Sequence, residues 1–285
     1  MMKTFVNKMR LYYPLIKSPQ TALLVLTGMA GYLTVRCPVY NLGTLAGLLV
    51  SLLASISGST ILNMWWDRDI DAKMKRTQKR PTASGKIGSR ETLAIGLVLS
   101  VLGVGLAFAM GVLYGAIIFA GLFFDVVVYT IWLKRRTCWS IVFGGVSGGM
   151  PILAGRALGL GSIDWVGIVL MLGVLFWIPT HIMTFNMRYF DDYQAARVPT
   201  FAAKYGFSFT RVMIAVSTLL TALSMGAAAL GIGMDWGLMR LLAVESLGLM
   251  ILAVFMIVHP TERINFGLFK YASIYMLSSM LLMAV

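Results

Sequence analysis

Apolar residues run along this chain in long blocks separated by short polar breaks. The blocks fall at 20–37, 44–65, 91–110, 112–133, 138–158, 163–184, 209–231, 236–258 and 266–285. Each approaches the ~20 residues that a helix needs to cross the hydrocarbon core of a bilayer. Apolar and polar positions do not alternate within them, which argues against a membrane β-barrel. The pattern predicts an all-α polytopic membrane protein of nine transmembrane helices. In the fifth block Gly144, Gly145, Gly148 and Gly149 carry the small-residue spacing of close helix contact. Pro151 beyond them predicts a kink or break.

Composition agrees with the pattern. Of 285 residues 59% are apolar and 12% charged, and the mean hydropathy is +0.83, so a soluble domain could not coat its surface. The first block follows a basic leader and lacks a small-residue cleavage pattern, so it reads as a span and not as a signal peptide. The net charge is +13. With nine spans, all Lys and Arg except Arg36, Arg156 and Arg240 lie on the side of the N-terminus or at its helix ends. That asymmetry predicts a cytoplasmic N-terminus, an outer C-terminus and a location in the cell membrane. It also accounts for the basic excess through topology and anionic lipid, and with no soluble module left, nucleic-acid binding is excluded. Cys37 and Cys138 fall at opposite ends of their spans, too far apart for a disulfide.

The outer loops are short, whereas two loops on the basic side, 66–90 and 185–208, are long and mix acids with bases. Each follows an even-numbered span. This suggests one membrane-embedded domain over 1–285, built from two related four-helix halves, about 1–133 and 134–258, with a ninth helix added.

The first long loop carries the densest chemistry, "NMWWDRDIDAKMKRTQKRP" from Asn63 to Pro81. Asn63, Asp67 and Asp71 recur every four residues, one stripe of a helix that continues past the bilayer. With Asp69 beside them they offer hard oxygen ligands suited to Mg²⁺, which prefers a few carboxylates, waters and phosphate oxygens. Lys73, Lys75, Arg76, Lys79 and Arg80 follow, cations able to neutralise phosphate. Acids that hold a metal, with bases beside them, suit a departing diphosphate. Polar groups at the membrane edge are costly without a function.

The Asn63-x-x-x-Asp67-x-x-x-Asp71 stripe resembles the first aspartate motif of the UbiA-type intramembrane prenyltransferases. Asp67-Arg-Asp-Ile-Asp71, Met74-Lys-Arg-Thr77 and Arg80-Pro81 resemble the heme-farnesylating branch of that superfamily. So do "YTIWLKRRTCWSIVFGG" at 129–145, "IPTHIMTF" at 178–185 and "DDYQAARVPTFAAKYG" at 191–206. Generic members carry a second Asp-x-x-x-Asp motif after span six. Here that stretch reads Arg188-Tyr-Phe-Asp191-Asp192, with Arg in place of the first acid, as the heme branch tends to have it.

The resemblance implies helices around a cavity open to lipid, capped on the cytoplasmic side by both acidic loops. It implies Mg²⁺-dependent transfer of an isoprenyl group from an allylic diphosphate, farnesyl diphosphate for this branch, to heme B. A quinone-precursor ring or an archaeal glyceryl-phosphate ether lipid is the alternative acceptor. A transporter, the reading from another class, leaves the acid-and-base cluster on one face unexplained. By this resemblance Asn63, Asp67, Asp71, Asp191 and Asp192 are the expected metal ligands. Asp67, Asp71, Lys134 and Tyr129 are expected to carry the chemistry. Asn63, Asp69, Lys73, Arg76, Arg80, Asp125, His181 and Arg188 are expected to bind substrate, His181 on the acceptor side. Asp125 lies one turn before Tyr129 at a depth where an acid must be paired or face a wet cavity. Glu245 reads as a structural polar contact, and Arg156 as a side chain reaching to outer headgroups.

Overall fold

A computed structural model describes residues 11–35 and 41–285, apart from the side chain of Ser18. Cys37, one half of the cysteine expectation, lies outside the described residues, and Cys138 is buried as a free thiol. All regular elements described are helical. The long ones are α1 (Ser18–Leu33), α2 (Leu42–Trp66), α4 (Ser89–Met110), α5 (Val112–Phe123, extended by a π-helix over Phe124–Leu133), α6 (Ser140–Leu160), α7 (Trp165–Arg188), α9 (Phe201–Ile232), α10 (Trp236–Val258) and α11 (Glu262–Ala284). Two six-residue helices, α3 (Arg68–Lys73) and α8 (Phe190–Ala195), lie in the long loops.

Eight of the described helices are long and apolar enough to cross a membrane. The ninth expected span corresponds to α1, whose 16 helical residues fall short of ~20. The chain is a multi-pass membrane protein. Its surface is apolar where a soluble protein's is polar. Leu97, Val98, Val101 and Leu102 on α4 are exposed, whereas Ser51, Ser55, Ser59 and Thr60 of α2 are buried. Two of these hydroxyls are satisfied within the helix, as Ser51 donates to the Leu48 carbonyl at 3.1 Å and Ser55 to the Leu52 carbonyl at 3.3 Å.

Small residues set the contacts between helices. α1 packs on α6 where a Cβ on Gly155 would strike the Gly28 carbonyl and one on Gly31 the Ile152 carbonyl. α2 and α4 meet where a Cβ on Gly103 would strike the Ser55 backbone. Such close backbone approach replaces the hydrophobic drive that is lost when the surroundings are also apolar. Of the four glycines expected to serve helix contact, Gly145, Gly148 and Gly149 face α7, and Gly144 leaves room for the ring of Tyr129. α6 runs continuously through Pro151, so the expected break does not occur.

Arg156 corrects a second expectation. It is 7% exposed and does not reach outward. Its guanidinium donates two bonds to Asp164, each 2.8 Å, and two to Thr34, at 3.1 Å to the carbonyl and 2.9 Å to the hydroxyl. Asp164 also caps α7 by accepting from the Gly167 amide, and Arg156 holds its carboxyl below the usual range. The Arg therefore ties α1, α6 and α7 together at one end of the bundle. Glu245 accepts from Ser278 at 2.8 Å, a structural contact between α10 and α11.

Candidate active site

The candidate residues gather at the opposite end of the bundle from Arg156, where α2 leaves the apolar region. Asp67 is the C-cap of α2, and i→i−4 hydrogen bonds continue through it, Asp67 N–H to Asn63 at 2.9 Å and Asp71 N–H to Asp67 at 2.8 Å. The stripe read from the sequence therefore survives the junction with α3. Both acids are 4% exposed, and each is held by a cation. Lys134 donates to Asp67 Oδ2, and Arg80 donates to both oxygens of Asp71 at 2.9 and 2.8 Å. A turn begun by the Thr77 hydroxyl, which donates to the Asp71 carbonyl at 2.9 Å, folds Arg80 back over that acid. Burial alone would depress the Lys134 ammonium, but Tyr129 and Asp67 together outweigh it and hold the pKa above lysine's usual value.

A backbone feature positions Lys134. Phe124–Leu133 is π-helical, and the Lys134 amide donates to the Tyr129 carbonyl at 2.8 Å, five residues back. Such segments recur at functional sites. The ammonium lies 5.6 Å from the centre of the Tyr129 ring, which occupies the space beside Gly144.

One turn deeper, Asn63 donates to Asp125 at 2.9 Å and accepts from Thr130 at 2.6 Å, and Ser59 also donates to Asp125. The intramembrane acid is thus paired, and both ends of the Asn63 amide are occupied within the protein. Neither is turned toward Asp67.

The second loop caps the first. Ile70, Met74, Ala196 and Val198 form a small buried cluster with Tyr193 against it. Asp192 accepts from the backbone amides of Lys75 at 3.1 Å and Arg76 at 3.2 Å. Asp191 and Lys73 are exposed. Asp69 faces away from Asp71, in a two-pronged pair with Arg135 at 2.8 and 2.7 Å, and those hydrogen bonds hold its carboxyl below the usual range.

The five-residue metal set is therefore not assembled as expected. Among the described residues no three acidic, His or Cys side chains converge as a metal shell. Asn63 and Asp192 are consumed by hydrogen bonds that the sequence could not reveal. Asp67 and Asp71 do fit Mg²⁺. Asp67 Oδ1 is buried with no hydrogen-bond partner among the described residues, and Arg135 lies 3.8 Å from it. An orphaned acceptor of this kind costs about 1–3 kcal/mol, and a divalent ion sharing phosphate oxygens satisfies it.

Two residues join the site that sequence reasoning missed. Lys17 caps the start of α1 in the left-handed region, at φ 43°. Its pKa is lowered to about 8, first by burial, then by the charges of Arg80 and Lys134. Tyr193 is pushed up by burial against the opposing charges of Lys134, Arg76 and Arg80. Nothing local in the sequence separates Lys17 from the other leader cations except its place at the start of span one.

The model of the UbiA prenyltransferase family matches residues 24–274. The chain belongs to the UbiA prenyltransferase family. Among its family relatives, a protein of Korarchaeum cryptofilum named protoheme IX farnesyltransferase is 43% identical over 206 residues, 72% of this chain and 69% of its own. One of the same name from Archaeoglobus fulgidus is 35% identical over 266 residues, 93% of this chain and 87% of its own. Among solved structures, one described for digeranylgeranylglyceryl phosphate synthase in membranes has a TM-score of 0.80 at 17% identity over 98% of both chains. A UbiA homologue from Archaeoglobus fulgidus bound to DMAPP and Mg²⁺ has a TM-score of 0.72 at 14% identity, over 96% of this chain and 99% of that one. These last two likenesses are of fold.

Lys17 yields a pH dependence. With a pKa near 8 it is a cation at neutral pH and loses its charge as pH rises through about 8. The cation is the form that attracts phosphate, so kcat/KM for a prenyl diphosphate falls above about pH 8. Lys17→Arg, which keeps its charge at all these pH values, flattens that limb. A limb that persists unchanged in Lys17→Arg removes Lys17 from the site.

Proposed function

We propose that this chain transfers the farnesyl group of farnesyl diphosphate to heme B. One observation carries the reading. Two buried acids, each locked to a cation, sit beneath a two-loop cap in a chain 35% identical, along 93% of its length, to a protoheme IX farnesyltransferase. The cations at the site outnumber the two buried acids. Lys134 and Arg80 neutralise Asp67 and Asp71, and Lys17 adds a further cation near them.

An arriving diphosphate gives the cations a more highly charged partner. Lys134, Arg80 and Lys17 turn to its oxygens and stabilise the charge that grows as the carbon–oxygen bond breaks. Asp67 and Asp71, so released, are the residues that would hold Mg²⁺, which supplies Lewis-acid stabilisation of the leaving group. The apolar bundle takes the isoprenoid tail and keeps water from the allylic cation, with Tyr129 beside Lys134 at the reacting end. The electron-rich vinyl group of the acceptor then attacks the allylic carbon, and water adds to the cation left beside the porphyrin ring and gives up a proton, so the product carries a hydroxyethylfarnesyl group.

The basic face that carries the site is the cytoplasmic one in this reading, with the N-terminus on that side and the C-terminus outside, in the cell membrane. The two halves are related as four-helix units. In support, each long loop begins with a six-residue helix directly after its span, α3 after α2 and α8 after α7.

The test is incubation of purified protein with Mg²⁺, farnesyl diphosphate and heme B, with products identified by mass. The expected product is a farnesylated heme. Prenylation of an aromatic ring or of a glyceryl phosphate, with heme left untouched, would leave the family and remove the acceptor. Solute flux in proteoliposomes without prenyl transfer would replace an enzyme by a transporter.

A further inference from the structure

The two acidic loops meet at Asp192, and what that acid touches is backbone. α3 ends at Lys73, and Met74 after it is extended, at φ −89° and ψ 127°. A new turn starts there, because the Met74 carbonyl accepts from the amides of Thr77 at 3.1 Å and Gln78 at 2.9 Å. The first N–H groups of such a turn, those of Lys75 and Arg76, find no acceptor within it. Asp192 supplies one from the other loop, a carboxylate oxygen for each. Oδ1 accepts from the Lys75 amide at 3.1 Å and Oδ2 from the Arg76 amide at 3.2 Å. Hydrogen bonds to an ionised acceptor are the stronger kind.

Two further contacts hold the loops in the same register. Ile70 and Met74 of the first loop are buried against Ala196 and Val198 of the second. The Arg76 guanidinium lies over Phe185 at 4.8 Å and Tyr189 at 5.4 Å, rings at the end of α7. The Arg80 amide donates to the Thr77 carbonyl at 2.9 Å, so the segment pinned by Asp192 leads directly to the cation on Asp71. The neighbours of Asp192 are committed elsewhere. Asp191 is exposed, and Arg188 lies over Phe266 of α11 at 3.8 Å and pairs with Glu262 at 3.6 Å. His181 is stacked between Trp177 at 4.7 Å and Phe269 at 4.3 Å.

We propose that Asp192 is a latch that holds the two-loop cap shut and positions Arg76 and Arg80 over the diphosphate, with Mg²⁺ held by Asp67 and Asp71 of the first loop alone. This role rests on the farnesyl-transfer reading for what lies beneath the cap. Turning Asp192 to a metal would strip both backbone N–H groups of their acceptor and loosen the segment that carries Arg80. Asp192 is therefore a positioning residue, which acts on the diphosphate only through the turn it holds.

The experiment is limited trypsin digestion of the detergent-solubilised protein in EDTA, without substrate, with the cuts located by mass. Lys73, Lys75, Arg76 and Lys79 are trypsin sites in the latched segment, and cleavage there requires the segment to leave its folded place. Asp192→Ala is expected to be cut between 73 and 79 about tenfold faster than wild type. Asp192→Asn keeps one acceptor oxygen and is expected at an intermediate rate; nearly the same shape as Asp, it decides if Asp192→Ala fails to fold. An acid that acts only through a metal has no effect once the metal is chelated, so equal cutting of wild type and variants overturns the latch. A second arm follows prenyl transfer. Asp192→Ala is expected to raise KM for farnesyl diphosphate about tenfold and, with that substrate saturating, to leave the Mg²⁺ concentration for half-maximal rate unchanged. A shift of that concentration by about tenfold or more makes Asp192 a ligand and also overturns the proposal. If wild type transfers no farnesyl group, the functional reading fails, and the digestion in EDTA still decides the latch.

Discussion

Asp67→Ala and Asp71→Ala are each expected to lower prenyl transfer by about a thousandfold or more, with no rescue by added Mg²⁺. The size follows from what each acid does. Removing one preorganised electrostatic group from a reacting centre costs about 10²–10³ in rate, and here the same change removes one of the two carboxylates proposed to hold Mg²⁺. Effects on folding differ from effects on rate. Arg80, the partner of Asp71, is a quarter exposed and can be hydrated when its acid is lost. Asp71→Ala should thus keep its helix content and thermal transition within a few degrees of wild type. Turnover measured across a Mg²⁺ titration, beside a thermal melt in the same detergent, separates the two. Either variant turning over undiminished sinks the assignment of these acids to the leaving-group site.

Lys134→Met is expected to be the second most damaging change, and it acts on stability as well as rate. Asp67 would then be buried with Oδ1 already unpartnered and Oδ2 newly so. Removing one member of a buried pair costs about 3–5 kcal/mol, reduced here because the lysine side chain is 21% exposed. The rate is expected to fall about a hundredfold from loss of a cation at the diphosphate. Adding Asp67→Asn to Lys134→Met removes the stranded charge, so it restores much of the melting temperature and none of the turnover. Recovery of activity in the double variant would show that Lys134 serves only to neutralise Asp67 and would remove Asp67 from the leaving-group site as well.

Local pattern carried eight of the nine spans and the placing of Asp67 beside Asp71, because each depends on residues near one another in sequence or on the length of an apolar run, while the two-loop cap came from the family resemblance. It misplaced what depends on distant partners. Asn63 has the right spacing for the stripe, but its amide is consumed by Asp125 and Thr130, 62 and 67 residues away. Asp192 is an acid in the expected place whose oxygens are spent on backbone amides, and any residue type can offer those. Lys17 looked like one leader charge among many, and only the folded chain brings it near Arg80 and Lys134. Arg156 looked lipid-facing because its match, Asp164, lies across a turn and belongs to the cap of the next helix.

The π-helical stretch at Phe124–Leu133 makes the active site sensitive to chain length as well as to the side chains of Asp125, Tyr129 and Thr130. Each π turn takes up more residues than an α turn does, so ten residues wound this way end at a different angle around the axis than ten wound as α-helix. Lys134 follows directly after that stretch, and its bearing on Asp67 is the sum of those turns. Swapping one apolar side chain for another within 124–133 leaves the sum unchanged. Losing a single residue lets the segment relax to the tighter winding and carries the ammonium around the axis, away from the acid it now faces. The site is in this sense gauged by counting.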